Sequence, residues 1–190
     1  IVNDFSYEIN APKQDINHQT FRIKAFNKFE SLGKLSVQYD YQQNNRLEFD
    51  IRRGDDKFKP SIDLELKTHS IKIDLNSKTS NLLNIKSGVI GRYQNNFPDP
   101  KTGVRRIIPD YDKYDLGIYS VFDLKINNNF LLEFGGRFDF SSLNVSKYYR
   151  TSFWKSRNYQ ELFSSLIIDE VRSQTLIKTK MNFRNFSTTF

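Results

Sequence analysis

Apolar and polar residues alternate with a period of two along most of this chain. Phe21, Ile23 and Ala25 share one phase, with Arg22 and Lys24 in the other. Leu35, Val37, Tyr39 and Tyr41 alternate with Ser36, Gln38 and Asp40. Ile85, Val89 and Tyr93 run against Lys86, Arg92 and Gln94, and Leu116, Ile118, Phe122 and Leu124 against Asp115, Asp123 and Lys125. The cleanest stripe is Phe130, Leu132, Phe134, Phe138 and Phe140 against Glu133, Arg137 and Asp139. Ile177, Met181 and Phe183, against Lys178, Lys180 and Arg184, close the series. Successive strand residues point to opposite faces, so this pattern predicts six strands, each with one apolar and one polar face. Helical periodicity is nearly absent.

Residues 62–76 break the rule. Ile62, Leu64 and Leu66 lie in one phase and Ile71, Ile73 and Leu75 in the other. A turn near Thr68-His69-Ser70 produces such a flip, and so does one long strand with a bulge, which inserts one residue. The connections favour the bulged strand. Ser31-Leu32-Gly33, Lys78-Thr79-Ser80-Asn81 and Asn127-Asn128-Asn129 are short and made of turn residues. The others, near 44–61, 95–113 and 144–168, are long. With 62–76 as one strand, short and long connections alternate strictly, the layout of an outer-membrane barrel with short periplasmic turns and long extracellular loops.

The stripes are long as well. Residues 130–140 alternate without a break, where a strand of a soluble protein averages about 5–6 residues and a membrane strand needs about 9–11. The predicted fold is therefore all-β: an antiparallel meander of long hairpins forming a partial wall of a transmembrane β-barrel. Its apolar stripes face lipid and its polar faces a watery lumen, with Tyr39, Tyr41, Tyr93, Phe138 and Phe140 in the interfacial girdle. A soluble sandwich, whose apolar faces are buried on each other, has the same pattern. The two readings part at one place. In a hairpin of 115–125 with 130–140, the residues Phe130, Leu132, Phe134 and Phe138 either face outward or pack on a second sheet.

Composition narrows the field. The chain has 190 residues, 15% of them aromatic, too many for a disordered segment. The absence of cysteine excludes disulfide frameworks, thiolate metal sites and cysteine nucleophiles. No apolar run of about 18 residues exists to make a membrane helix, which leaves membrane strands untouched. A net charge of +7 is compatible with nucleic acid, anionic lipid or acidic ligands. The sequence starts at Ile1 without a signal peptide and stops at Phe190 inside a patterned segment, so a piece of a longer chain is expected.

Two stretches are more specific. One is Gln43-Asn44-Asn45-Arg46-Leu47-Glu48-Phe49-Asp50-Ile51-Arg52-Arg53-Gly54, followed by Pro60-Ser61-Ile62-Asp63-Leu64-Glu65-Leu66-Lys67-Thr68. The other is Gly88-Val89-Ile90-Gly91-Arg92-Tyr93-Gln94-Asn95-Asn96, then Thr102-Gly103-Val104 and Ile107-Ile108-Pro109-Asp110-Tyr111. Gly117-Ile118-Tyr119 and Leu132-Glu133-Phe134-Gly135-Gly136-Arg137-Phe138-Asp139 come after it. As an ordered set covering most of residues 40–140, they resemble the barrel region of TonB-dependent outer-membrane receptors, especially those of Bacteroidetes. Phe138 stands where that family's Gly-x-Arg-Tyr-Asp strand has tyrosine. The resemblance implies that residues 1–190 are seven or eight strands of a barrel of about 22, without plug domain, energy-coupling box or signal peptide. It also implies an outer-membrane receptor for energy-coupled uptake of a scarce ligand such as an iron chelate, cobalamin or a glycan. The implied partners are outer-membrane lipid and lipopolysaccharide, the TonB energy-coupling protein (through the N-terminal region not seen here) and a small-molecule or metal-chelate ligand. No cofactor, metal, nucleic acid or enzymatic activity is expected. A porin or adhesin barrel without energy coupling, or a soluble all-β nucleic-acid-binding module, are the alternatives.

Candidate chemistry is thin. His18 and His69 have no metal-ligand spacing, and nothing resembles a nucleophile elbow. Arg46, Glu48 and Asp50 project to one side of a strand and Leu47, Phe49 and Ile51 to the other, as in a wall rising above the membrane with an ion-paired polar face. Segment 144–168 interleaves Lys147, Tyr148, Tyr149, Arg150, Phe153, Trp154, Lys155, Arg157 and Tyr159. Such residues can anchor at a membrane rim, hold an anionic ligand, or grip single-stranded nucleic acid. The ligand-contact candidates are Arg105, Arg106, Arg150, Trp154 and Arg157, chosen because they lie in long connections on the outer side.

Overall fold

The structure is a computed structural model that describes residues 12–51, 54, 58–103, 108–171 and 173–189. Eight strands form one antiparallel sheet: β1 (Lys13–Phe29), β2 (Gly33–Phe49), β3 (Ile62–Lys78), β4 (Leu83–Pro98), β5 (Asp110–Lys125), β6 (Leu131–Arg150), β7 (Ile167–Val171) and β8 (Gln174–Thr189). The spatial order is β1-β2-β3-β4-β5-β6-β8-β7, and the sheet is not closed. Two short helices, α1 (Thr151–Ser156) and α2 (Tyr159–Leu162), stand between β6 and β7.

The fold class follows from the period-two pattern, and the short turns from their chemistry. Gly33 takes φ +96°, and a Cβ there would lie 2.3 Å from the Asn76 carbonyl oxygen, so glycine alone fits. Ser80 Oγ accepts from the backbone N–H of Leu82 and of Leu83, both at 3.1 Å. Asn127 Oδ1 accepts from Asn129 N–H at 2.9 Å, closing the hairpin that pairs 115–125 with 131–141.

Three expectations need correction. The long connections are shorter than read from sequence: β2 runs to Phe49, β3 starts at Ile62, β4 runs to Pro98, β5 starts at Asp110 and β6 continues to Arg150. Polar residues in this part were read as loop, yet they extend the strands. Second, β3 is one strand of 17 residues but carries no bulge. Its register is unbroken against both neighbours, from Lys34↔Asn76 to Glu48↔Ile62 and from Leu64↔Pro98 to Lys78↔Asn84. The phase flip therefore reflects a change of surroundings along a regular strand. Third, Met181 and Phe183 oppose Leu143 and Ser141, on the face away from Phe138, while Phe186 opposes Phe138.

Among the described residues there is no second layer. Trp154 is the only buried large hydrophobic side chain among the described residues. The chain exposes 14275 Å², whereas a compact folded protein of 22.5 kDa exposes about 9,500 Å². Ile118, Phe138 and Phe186 are 51%, 44% and 69% exposed. Among the described residues the phenylalanines of the 130–140 stripe thus have no second sheet to pack on.

Candidate functional site

Strand register joins the separate stripes into surfaces. One row of opposed residues crosses five strands: Phe21, Tyr41, His69, Tyr93 and Tyr114. Ring centroids along it are 4.9 Å apart for Tyr41 and His69, 6.2 Å for His69 and Tyr93, and 4.9 Å for Tyr93 and Tyr114. The Tyr39 hydroxyl lies 2.8 Å from His69 Nδ1. Toward the short turns, this face (face A) is apolar, with the next rows holding Ile23, Tyr39, Ile71, Leu116 and Phe140, then Val37, Ile73, Val89, Ile118 and Phe138. On the other side of the aromatic row it changes at once to Gln19, Gln43, Lys67, Asn95, Asp112, Asn144 and Lys180. Face B changes in the opposite sense on β3, β6 and β8, while on β2 it stays polar with Asn44, Arg46 and Glu48. Leu64, Leu66, Leu143, Val145 and Met181 lie on it beyond the row.

Below the row, face B is ion-paired. Arg22 binds Asp40, Lys72 lies 3.0 Å from Asp74, Lys86 2.9 Å from Asp123, and Arg92 3.0 Å from Asp115. Arg137 donates from both Nε and a terminal nitrogen to Asp139, each at 2.7 Å. This gives the Gly-Arg-Phe-Asp stretch its physical meaning: residues two apart share a face and pair, while Phe138 points the other way. Glycines make room for bridging side chains. Tyr119 donates to Asp74 across β4, and a Cβ on the intervening Gly88 would meet its ring at 2.6 Å. A Cβ on Gly117 would lie 2.6 Å from Asp139 Oδ1. Exposed ion pairs each contribute about 0–1 kcal/mol, so their weight here is in covering one face with fixed charge.

Beyond the row, polar side chains tie neighbouring strands. Tyr41 donates to Gln43 Oε1 at 2.7 Å, and Gln43 Nε2 to Glu65 at 3.1 Å. Tyr93 and Asn95 both donate to Asp112, at 2.7 and 2.9 Å. The Glu65 carboxylate holds the Lys67 ammonium above the usual lysine range. Burial, aided by the nearby Asp99 and Glu65 charges, pushes the Asp63 carboxyl up. Burial alone raises Tyr111. A shallow groove of about 430 Å³ crosses β4, β5, β6 and β8 here, with Asn95, Asp112, Asn144, Ser146, Lys178 and Lys180 among its lining.

Of the sequence candidates, Arg105 and Arg106 lie outside the described residues. The structure brings Arg150, Trp154 and Arg157 into one unit at the end of β6. Trp154 is 4% exposed and packs on Tyr149 at 5.3 Å, Tyr159 at 5.0 Å and Phe163 at 6.2 Å. Its ring faces protein on these sides, so its evident work is to hold α1 and α2 against the strand. Arg150 and Arg157 are exposed, and the Arg157 guanidinium sits 5.5 Å from the Phe153 centroid. Arg46 pairs with Glu48 on the wall, as the strand phase requires. The aromatic row escaped sequence reading in part. Tyr41 and Tyr93 stood out as stripe ends, but His69 joins them only through register. Among the described residues no cluster of three or more metal-ligating side chains exists, and no helix is long and apolar enough to cross a membrane. Compared with protein-family models, curated proteins and solved structures, the chain matches none.

Proposed function

We propose that this chain forms part of the barrel wall of a TonB-dependent receptor in the outer membrane of a Gram-negative bacterium, which takes up a scarce ligand such as an iron chelate or cobalamin. The observation that carries this reading is the change of face A from apolar to polar at the aromatic row, with face B turning apolar beyond it on β3, β6 and β8. Face A suits hydrocarbon on one side of the row and water on the other. Face B suits a watery lumen at the same height where face A suits lipid. A soluble sheet has no reason to swap its faces midway, whereas a wall rising out of a bilayer does, because its outward surroundings change there. From Tyr114 to Leu124 the apolar stripe of β5 spans about 33 Å along the strand, or about 23 Å of height at a tilt near 45°. That matches the apolar band of such barrels.

The sheet edges support the same reading. Among the described residues β1 pairs on one side only, and β8 pairs with β7 only from Gln174 to Ile177. Neither free edge carries a proline or a bulge at the level of the apolar band, so the backbone groups there are open to pairing. Further strands would close them. In this proposal the wall performs no catalysis. Extracellular segments, Arg150 and Arg157 among them, meet the ligand, and a partner TonB protein supplies energy through an N-terminal region.

The test is uptake in living cells. Deleting the gene should abolish accumulation of a radiolabelled ferric chelate or cobalamin, and a protonophore should do so in the undeleted strain. Accumulation that ignores the protonophore would point instead to an uncoupled porin-like barrel. Recovery of the protein in the soluble fraction without detergent would overturn both.

A further inference from the structure

We propose that Tyr93 and Tyr114 form an oxidative cross-linking site, at which peroxyl radicals join β4 to β5 through a dityrosine bond. The geometry of the pair stands without the barrel reading, which adds only the origin of the radicals. Three features converge. The first is placement. Among the described residues, Tyr93 and Tyr114 are the only tyrosines set directly opposite each other in the sheet. Their ring centroids are 4.9 Å apart, with the rings inclined by 32°. On the other side of Tyr93, His69 stacks at 6.2 Å and 25°, which keeps that ring beside Tyr114. The last torsion of a tyrosine side chain is broad, so a small rotation brings a carbon ortho to each phenol oxygen into bonding reach. Elsewhere along the row, His69 separates Tyr41 from Tyr93.

The second is a proton acceptor. The Tyr93 hydroxyl donates to Asp112 Oδ1 at 2.7 Å, inside the reach of a general base. Asn95 donates to the same oxygen at 2.9 Å and helps to fix it. Oxidation of a phenol removes an electron and a proton, so a carboxylate held at the hydroxyl eases the step. The third is access, together with the scarcity of competing side chains. Tyr114 is 49% exposed. The chain has no cysteine and one methionine, the two side chains with the readiest oxidation chemistry, and its one tryptophan, Trp154, is buried. In the barrel reading the row lies at the lipid boundary, where lipid peroxyl radicals reach it.

The step balances. Each phenol gives one electron to a peroxyl radical. Tyr93 passes its proton to Asp112, which returns it through water to the reduced peroxide, and the Tyr114 proton goes to the second peroxide. Two peroxyl radicals leave as two hydroperoxides. The two tyrosyl radicals couple through their ortho carbons, forming one carbon–carbon bond, and the hydrogen on each of those carbons moves to the phenol oxygen. The product is lighter by two hydrogen atoms. It closes the β4–β5 hairpin covalently, and a cross-link that constrains the unfolded chain stabilises the folded one.

The test uses the full-length protein in lipid vesicles, exposed in air to a lipid-soluble azo initiator that generates alkylperoxyl radicals. Trypsin cuts after Arg92, Lys101, Lys113 and Lys125, so segments 93–101 and 114–125 separate unless they are joined. The expected result is the joined pair in tandem mass spectrometry, lighter by two hydrogens, with dityrosine fluorescence and a raised unfolding midpoint. Tyr114→Phe should lose the joined peptide entirely. Asp112→Asn keeps an oxygen for the Tyr93 hydroxyl but removes the base, and should lower the yield several-fold. Far-UV circular dichroism reports whether each variant is folded. Hydroxylated tyrosines without any joined peptide overturn the site, and so does a joined peptide in folded Tyr114→Phe, which would place the bond on Tyr119. An unchanged yield in Asp112→Asn overturns the role of Asp112 as proton acceptor. Equal yield from a water-soluble initiator overturns the lipid origin of the radicals and leaves the pair. A protein that needs no detergent overturns the barrel alone, since the water-soluble initiator then tests the same pair in buffer.

Discussion

The lower and upper halves of this sheet share the same strands, the same unbroken register and the same period-two alternation, yet on β3 and β6 they carry their apolar residues on opposite faces. Below the Phe21–Tyr114 row, face A carries Val37, Ile73, Ile118 and Phe138, and face B carries fixed ion pairs such as Arg92 with Asp115. Above it, face A carries Gln43, Lys67, Asn95 and Asn144, and face B carries Leu64, Leu66, Leu143 and Val145. Hydrogen-bonded backbone is indifferent to what surrounds it, so one β-ladder can pass through two environments. Only side chains must change phase at the boundary. The amphipathic rings of Tyr41, Tyr93 and Tyr114 sit at that boundary, where one end of each ring meets apolar and the other polar surroundings.

The widest contrast between the halves should come from placing the same charge on each. Ile118→Arg, in the middle of the apolar band, is expected to destabilise the protein in a bilayer by about 2–4 kcal/mol. Asn144→Arg, on the same face above the row, should stay within about 0.5 kcal/mol. Urea unfolding in lipid vesicles measures both, and equal effects would break the comparison. A smaller effect probes face B below the row. Gly88→Ala drives a methyl into the Tyr119 ring and displaces its hydroxyl from Asp74. Overpacking of this kind costs about 1–3 kcal/mol, and Gly88→Ala combined with Tyr119→Ser should recover part of it.

The smallest effect belongs to the upper half and depends on pH. Because burial and the Asp99 and Glu65 charges raise the Asp63 carboxyl, the folded chain binds a proton there more tightly than the unfolded chain does. Stability therefore rises as pH falls through the raised value, and the charged form costs stability above it. Asp63→Asn should raise thermal stability slightly at pH 7, and the gain should vanish by about pH 4, where the unfolded carboxyl is itself half protonated. A gain that persists at pH 4 would mean that packing, not charge, sets the difference.

Much of the fold was legible along the chain. Short turns announced themselves by Gly33, Ser80 and Asn127, and the stripes named the strand phases. The reading faltered where one local signal has two physical causes. The flip between Leu66 and Ile71 is what a bulge produces, and equally what a change of surroundings produces. Polar runs such as Gln42–Asn45 look like loop because strands are recognised by apolar residues, and here the backbone partners hold them extended. The α1–α2 unit was read as loop because its binding force is tertiary. Trp154, Tyr159 and Phe163 show little beyond an aromatic-rich segment until Tyr149 at the end of β6 gives them a surface. The candidate residues divided on the same principle: Arg150 and Arg157 stay at the surface, and packing turned Trp154 inward.

What the sequence determined by itself is local: which residues alternate, where glycine and asparagine turn the chain, and that strands rather than helices carry the apolar residues. These depend on steric preference and on the two-residue period of an extended backbone. What only the tertiary structure decided is the alignment of distant positions. Phe21, Tyr41, His69, Tyr93 and Tyr114 are separated by 20, 28, 24 and 21 residues along the chain, and no local preference relates them. Register across four strand pairs sets them side by side, and with that row comes the boundary at which face A changes from apolar to polar.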